Sequence, residues 1–254
     1  RINTNVAAIN ASRTLRRSTT SLNKSLEKLS SGLRINRAAD DAAGLAIAEG
    51  FRSIVRGTQV AQRNAQDGIS LVQTAEGSLS ETTNILQRIR ELSVQSANGT
   101  QSTTNRQAIQ AEVTQLIAQI DDISTDTEFN GIRVLSVNQT VTLQAGAQAS
   151  QTLAITMGGA RSADLRVSAL SVSSAVQATS AISTLDLALR SVSSLRSTLG
   201  AFQNRLEFSI NTLAIQEENS AASESAIRDA NIAHETIAFT RNQILVSAGT
   251  TVLS

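Results

Sequence analysis

The sequence has no proline, no cysteine, no tryptophan and no tyrosine, and only five phenylalanines among 254 residues. Without cysteine there is no disulfide scaffold, no thiolate metal site and no cysteine nucleophile. Without proline, nothing removes a backbone donor from a helix interior, so long unbroken helices are expected. Aromatic side chains carry much of the packing surface of an ordinary core, and an aromatic content of 2% argues against a thick globular one. Charge of either sign is balanced to a net +1, too little for bulk nucleic-acid binding. No apolar run reaches the length of a membrane-spanning helix, so no membrane insertion is expected. No charged start leading into an apolar stretch gives the pattern of a cleaved signal peptide.

What is present is helical periodicity. Apolar residues Ile2, Val6, Ile9, Leu15, Leu22, Leu26, Leu29 and Leu33 predict a first helix over about 4–33, and the spacing from Leu22 onward is that of a coiled-coil stripe. Gly32 weakens its end, and Asp40 or Asp41 can cap the next helix. That second helix is predicted over about 42–97, with Ile54, Ile69, Val72, Ala75, Leu79, Leu86, Ile89 and a flanking Leu92. Five glycines sit inside it, at 44, 50, 57, 68 and 77. Each costs about 1 kcal/mol against alanine, which calls for close helix contacts or a break. Unbroken, the helix would reach about 84 Å, so either the molecule is a rod or the helix breaks.

Asn98-Gly99 is a turn signal, and Ser102 or Thr103 opens a third helix to about 127, buried through Ile109, Val113, Leu116, Ile120 and Ile123 and folded back antiparallel. Residues 134–160 carry no charge; Thr140–Leu143 and Thr152–Thr156 alternate as strands of a small hairpin. After a Ser- and Ala-rich stretch comes a fourth helix, about 175–221. Its stripe runs through Ile182, Leu185, Leu189, Val192, Leu195, Leu199, Phe202, Leu206, Ile210 and Leu213 in steps of three or four. A last helix spans about 223–248 and is stopped by Gly249. The fold class is therefore mainly α: an elongated antiparallel helical bundle with a small β-hairpin region.

The two ends differ in charge. Residues 1–40 hold eight basic and two acidic residues, residues 216–254 two basic and five acidic. Two amphipathic helices of opposite charge can pair, which selects partner and orientation more than it stabilises. Neither carries enough apolar load to stand alone, so both are expected to be disordered in the free monomer and to fold against neighbouring copies. Leu22, Leu26, Leu29 and Leu33 in the first, with Ile237, Ile244 and Leu245 in the last, are the positions expected to carry that polymerisation.

Reactive chemistry is sparse. His234 is the sole histidine, and Glu235, adjacent in sequence, points to another face. Asp40-Asp41 and Asp121-Asp122 lack the spacing of a calcium loop and read as capping or solvated charge. No Gly-rich turn is followed by Lys-Ser or Lys-Thr, so no phosphate loop is present. Arg13, Arg16 and Arg17 have no aromatic residues interleaved for base stacking. Asn98-Gly99-Thr100 and Asn138-Gln139-Thr140 match the short N-glycosylation pattern. No enzyme and no cofactor is expected.

Several longer strings carry more. The chain opens Arg1-Ile2-Asn3-Thr4-Asn5-Val6. Leu29-Ser30-Ser31-Gly32-Leu33-Arg34-Ile35-Asn36 precedes Asp40-Asp41-Ala42-Ala43-Gly44-Leu45-Ala46-Ile47. Arg63–Leu71, Gln73–Gly77 and Leu86–Gln95 follow in order, with Phe129-Asn130-Gly131 before the hairpin. Leu199-Gly200-Ala201-Phe202-Gln203-Asn204-Arg205-Leu206, Gln243–Leu245 and Ala248–Thr250 mark the C-terminal half. In these strings, over residues 1–133 and about 180–254, the chain resembles bacterial flagellin.

The resemblance implies a secreted subunit of the extracellular flagellar filament, a short form with no large outer domains. It implies an inner layer, D0, made by residues 1–40 and a truncated 223–254, short of the family's small-residue, Gln-rich tail and initiating residues. A surrounding layer, D1, would comprise 41–180 and 181–222. Implied partners are further copies of the chain, the flagellar export chaperone, and the cap and hook-junction proteins; export through the flagellar type III apparatus would be unfolded. A chain without cysteine or proline suits such export, having no disulfide traps and no slow prolyl isomerisation. The family's positions for recognition by the innate receptor TLR5 fall on Arg88, Leu92 and Glu112. The alternatives are a flagellin-like hook–filament junction protein, or a cell-surface adhesin on the same scaffold.

Overall fold

The computed structural model describes residues 5–253. The apolar Ile2 and the opening string Arg1-Ile2-Asn3-Thr4 lie outside the described residues. Among the described residues the order is α1 (Val6–Ser31), α2 (Ala42–Ala97), α3 (Thr103–Asp126), β1 (Glu128–Phe129), β2 (Ile132–Arg133), β3 (Gln139–Gln144), β4 (Thr152–Met157), α4 (Ala175–Arg228) and α5 (Ile232–Leu253). Two compact units result: Arg1–Arg56 with Ile215–Ser254, and Gly57–Ala214.

In the unit Gly57–Ala214 one apolar cluster joins α2, α3, α4 and the hairpin β3–β4. Ala65, Val72, Ala75, Leu79, Leu86 and Ile89 supply the α2 stripe, and Leu185, Val192, Leu199 and Leu206 that of α4. Nearly all are aliphatic, so close packing is reached with small and branched side chains where other cores use rings. Helix α3 begins at Ser102, whose hydroxyl accepts from the Asn105 N–H at 3.2 Å. It returns antiparallel: Arg88 meets Glu112, and Thr127 Oγ1 donates to Ser78 Oγ at 2.9 Å. Its buried face is Ile109, Val113, Ile117, Ile120 and Ser124, so Ile117 and not Leu116 occupies the centre of the expected stripe. Steps of four from Ile109 carry the contact line there.

Helix α2 does not break at its glycines. At Gly68 an added Cβ would strike Leu143 Cδ1, and at Gly57 it would stand 2.9 Å from the Ala147 Cβ. There the missing side chain admits the hairpin. Strands β3 and β4 pair antiparallel, Thr140 opposite Thr156 and Leu143 opposite Leu153. The alternation turns Leu153, Ile155 and Met157 inward.

A second, shorter hairpin precedes it. Strands β1 and β2 are joined by Asn130-Gly131 with φ of 50° and 77°, the backbone that an Asn-Gly two-residue turn favours. The Ser- and Ala-rich stretch after β4 is also part of the core: Leu165, Val167 and Val172 are buried within it. Asp121 holds this segment, accepting from the Ser162 N–H at 2.8 Å and its hydroxyl at 2.7 Å.

In the unit formed by the chain ends, α1 lies antiparallel against α5. Lys28 Nζ stands 3.1 Å from Glu235 Oε1, and Gly249 faces Leu15. Gly32 caps α1 in the left-handed conformation, at φ 72°. The chain then pairs with the α4–α5 junction: Ala230 N–H donates to Gly32 O at 2.9 Å, Arg34 N–H to Arg228 O at 2.6 Å, and the Arg34 guanidinium to Ile227 O. Ile35 is buried here. Asp41 caps α2 through the Gly44 N–H at 2.8 Å.

The expected break between the last two helices, near 222, is displaced. Ala-Ser-Glu-Ser-Ala-Ile-Arg at 222–228 contains no breaker, and α4 runs on to Arg228. Asn231 then starts α5, its Oδ1 accepting from the His234 N–H at 3.1 Å.

Candidate functional site

Helices α1 and α5 carry apolar residues that the chain does not cover. Over its 26 residues α1 buries only Ser18 and Ser25, one heptad apart. Leu15, Leu22 and Leu29 flank this small-residue seam half-buried, and Leu26 is exposed. No described residue of α5 is buried. Ile237 is 60% exposed, Ile244 62% and Leu245 49%.

The seven positions singled out for polymerisation thus divide. Leu22, Leu29 and Leu33 are half-buried, whereas Leu26, Ile237, Ile244 and Leu245 face outward. Val6 and Ile9, apolar positions of the same helix that precede the coiled-coil spacing, are exposed as well. The α1 stripe is wider than one neighbouring helix can cover. At about 25 cal/mol per Å² of apolar surface, such residues represent binding energy still available.

Charge on this pair is asymmetric in its partnering. Lys28 finds Glu235, and Arg37 Nε finds Glu27 at 2.8 Å. Arg16, Arg17 and Lys24 line an open groove along α1 with Thr20 and Ser21. Asp40 Oδ2 accepts from the Arg37 and Asn36 N–H groups at 3.1 and 3.3 Å. The Arg37 bond foremost holds its carboxyl below the ordinary range, against a smaller opposing effect of desolvation.

In the other unit, Arg88, Leu92 and Glu112 come together only in part. Arg88 Nη2 and Nε lie 2.9 and 3.1 Å from Glu112 Oε1, and Arg88 Nη1 is 3.3 Å from Glu91 Oε2. Both charged side chains are about half exposed, and the hydrogen bonds that Arg88 donates to Glu112 raise the guanidinium pKa above its ordinary value. Leu92, four residues on, is 3% exposed and belongs to the core. Of the three, only the two charged residues are open to solvent. Sequence periodicity missed Phe208, which is 72% exposed on α4. Its position off the three-and-four stripe, between Leu206 and Ile210, was the available signal.

His234 is exposed, and its backbone N–H serves the α5 cap. Among the described residues no group of three or more His, Asp or Glu is placed to hold a metal ion. No described helix is long and apolar enough to cross a membrane.

Known proteins match the chain at both of its ends. Residues 2–140 match the bacterial flagellin N-terminal helical region, and residues 182–254 the bacterial flagellin C-terminal helical region. The flagellar filament 33 kDa core protein of Treponema phagedenis is 45% identical over 270 aligned residues, covering 100% of this chain and 94% of that protein. The flagellin of Bacillus subtilis is 44% identical over 289 aligned residues, covering 100% and 95%. The crystal structure of Bacillus cereus flagellin superposes with a TM-score of 0.52 at 31% identity, covering 59% of this chain and 88% of that one. With both terminal helical regions matched in order and the whole length aligned to filament proteins, the chain belongs to the bacterial flagellin family.

Proposed function

We propose that the chain is a structural subunit, not an enzyme, that polymerises with copies of itself into the extracellular flagellar filament. The observation that carries this is the α1–α5 pair, two helices that bury only two serines in α1 and no described residue in α5. Their outward Leu26, Ile237, Ile244 and Leu245 are apolar surface that further copies would cover. In this reading residues 1–40 and 223–254 form the inner layer D0, and 41–180 with 181–222 the layer D1. The arms order fully only in the assembly, and the chain reaches it unfolded through the flagellar type III apparatus, handled by an export chaperone and by cap and hook-junction proteins.

Electron microscopy of the full-length protein under polymerising conditions tests the reading. Long tubes are expected; isolated particles at every concentration would overturn it.

The same reading assigns Arg88 and Glu112 to recognition by TLR5, with Leu92 holding the α2 surface in place. The half-exposed, doubly bonded guanidinium is a rigid, charged contact of the kind that concentrates binding energy. Arg88→Ala is expected to weaken receptor binding by about 1.4 kcal/mol, tenfold in affinity. Unaltered binding and signalling would remove this assignment.

A further inference from the structure

The turn between α2 and α3 holds an Asn-Gly pair whose surroundings favour a covalent change. Asn98 and Gly99 are exposed, and an added Cβ at Gly99 would meet nothing within 4 Å. Among the described residues the Gly99 N–H has no hydrogen-bond acceptor. The Asn98 side-chain Oδ1 accepts from the Thr100 N–H at 3.2 Å. The Asn98 backbone is pinned on both sides: its N–H donates to Gln95 O at 3.3 Å, and its carbonyl accepts from the Gln101 N–H at 3.2 Å and from Arg106 Nη2 at 2.9 Å.

We propose that Asn98 is a site of spontaneous succinimide formation, converting to aspartate and isoaspartate. Hydroxide removes the proton from the Gly99 backbone nitrogen, which no acceptor holds and no side chain shields. That nitrogen attacks Asn98 Cγ and forms an N–Cγ bond. Negative charge develops on Oδ1, where the Thr100 N–H already donates, the arrangement that stabilises an oxyanion in acyl transfer. Collapse breaks the Cγ–Nδ2 bond, and the nitrogen leaves as ammonia with a proton from water. Water then opens the five-membered imide at either carbonyl, giving aspartate by one route and isoaspartate by the other. The net exchange is ammonia out and water in, with no oxidant or reductant.

The second Asn-Gly pair supplies an internal control. Asn130 is locked at φ 50° in the two-residue turn between β1 and β2, and among the described residues no donor reaches its Oδ1. Asn138 is followed by Gln139, whose side chain and strand pairing hinder attack by its nitrogen. Conversion at residue 98 places a carboxylate just past the C-terminus of α2, the unfavourable end of the helix dipole, beside Arg106. The isoaspartyl product also lengthens the main chain inside the turn that folds α3 back.

The experiment is incubation of the intact chain at mildly alkaline pH, followed by peptide mapping by mass spectrometry and isoaspartate labelling with an isoaspartyl methyltransferase. In the folded chain Asn98 is expected to convert several-fold faster than Asn130, at a rate rising with pH. In the urea-unfolded chain the two pairs should convert alike. Gly99→Val should slow the reaction at 98 and leave that at 130 unchanged. Equal rates at 98 and 130 in the folded chain, or no isoaspartate at 98, would overturn the proposal.

Discussion

Gly68 and Gly77 lie on the same helix, yet only one of them is required there. A side chain at Gly68 would displace Leu143 and stand 3.3 Å from Leu206 Cδ1, whereas nothing lies within 4 Å of the position a Cβ would take at Gly77. Gly77→Ala should therefore raise stability by about 1 kcal/mol, the intrinsic helix preference. Gly68→Ala should lower it by about 1–3 kcal/mol through overpacking, despite the same gain in propensity. Thermal unfolding of the two variants checks both signs. Asp40 offers a pH test at the same scale. Its folded-state pKa is depressed by the Arg37 and Asn36 N–H groups, so its contribution is present above the unfolded value of about 3.9 and is lost as pH falls through the lower folded value. Amide shifts of Asn36 and Arg37 should titrate together with a midpoint below that of an ordinary aspartate; Asp40→Asn should abolish the transition.

At the scale of elements, periodicity was most informative where one face is deeply buried. All ten residues of the expected α4 stripe are buried or half-buried, and the bounds of α2 coincide with those read from the turn and cap residues on either side. It was least informative where backbone pairing or capping decides. The junction of α4 with α5 depends on Asn231 and on the bond that Gly32 O accepts and those that Arg34 donates, which join segments far apart in sequence. Sequence windows cannot contain such pairs. Arms α1 and α5 are expected to show amide exchange far faster in the monomer than α2–α4 do, because so few of their side chains are buried. Protection of α1 equal to that of α2 in the free monomer would refute assembly-dependent ordering.

For the whole molecule, assembly should be separable from folding. Ile237 and Ile244 are exposed in α5 and contribute nothing to the buried core. Ile237→Asp with Ile244→Asp should abolish tube formation in the microscope while leaving the main thermal transition within about 0.5 kcal/mol, as surface substitutions do. Loss of both together would mean that these residues hold the monomer.

Much was legible beforehand: helical class, the antiparallel return of α3, the hairpin β3–β4 and the family itself. These follow from local signals, namely the absence of proline, the three-and-four spacing of aliphatic residues, the Asn-Gly turn and the long matching strings. Tertiary structure alone decided which side of each stripe meets a neighbour. It made Ser18 and Ser25 the seam of α1, put Leu92 in the core beneath Arg88, buried Ile35 and Val167, and left Ile9 and Ile237 uncovered. Burial depends on the few neighbours that reach a residue, and those neighbours come from opposite ends of the chain. Spacing along one helix records that a face is apolar, but not whether this molecule contains the surface that covers it.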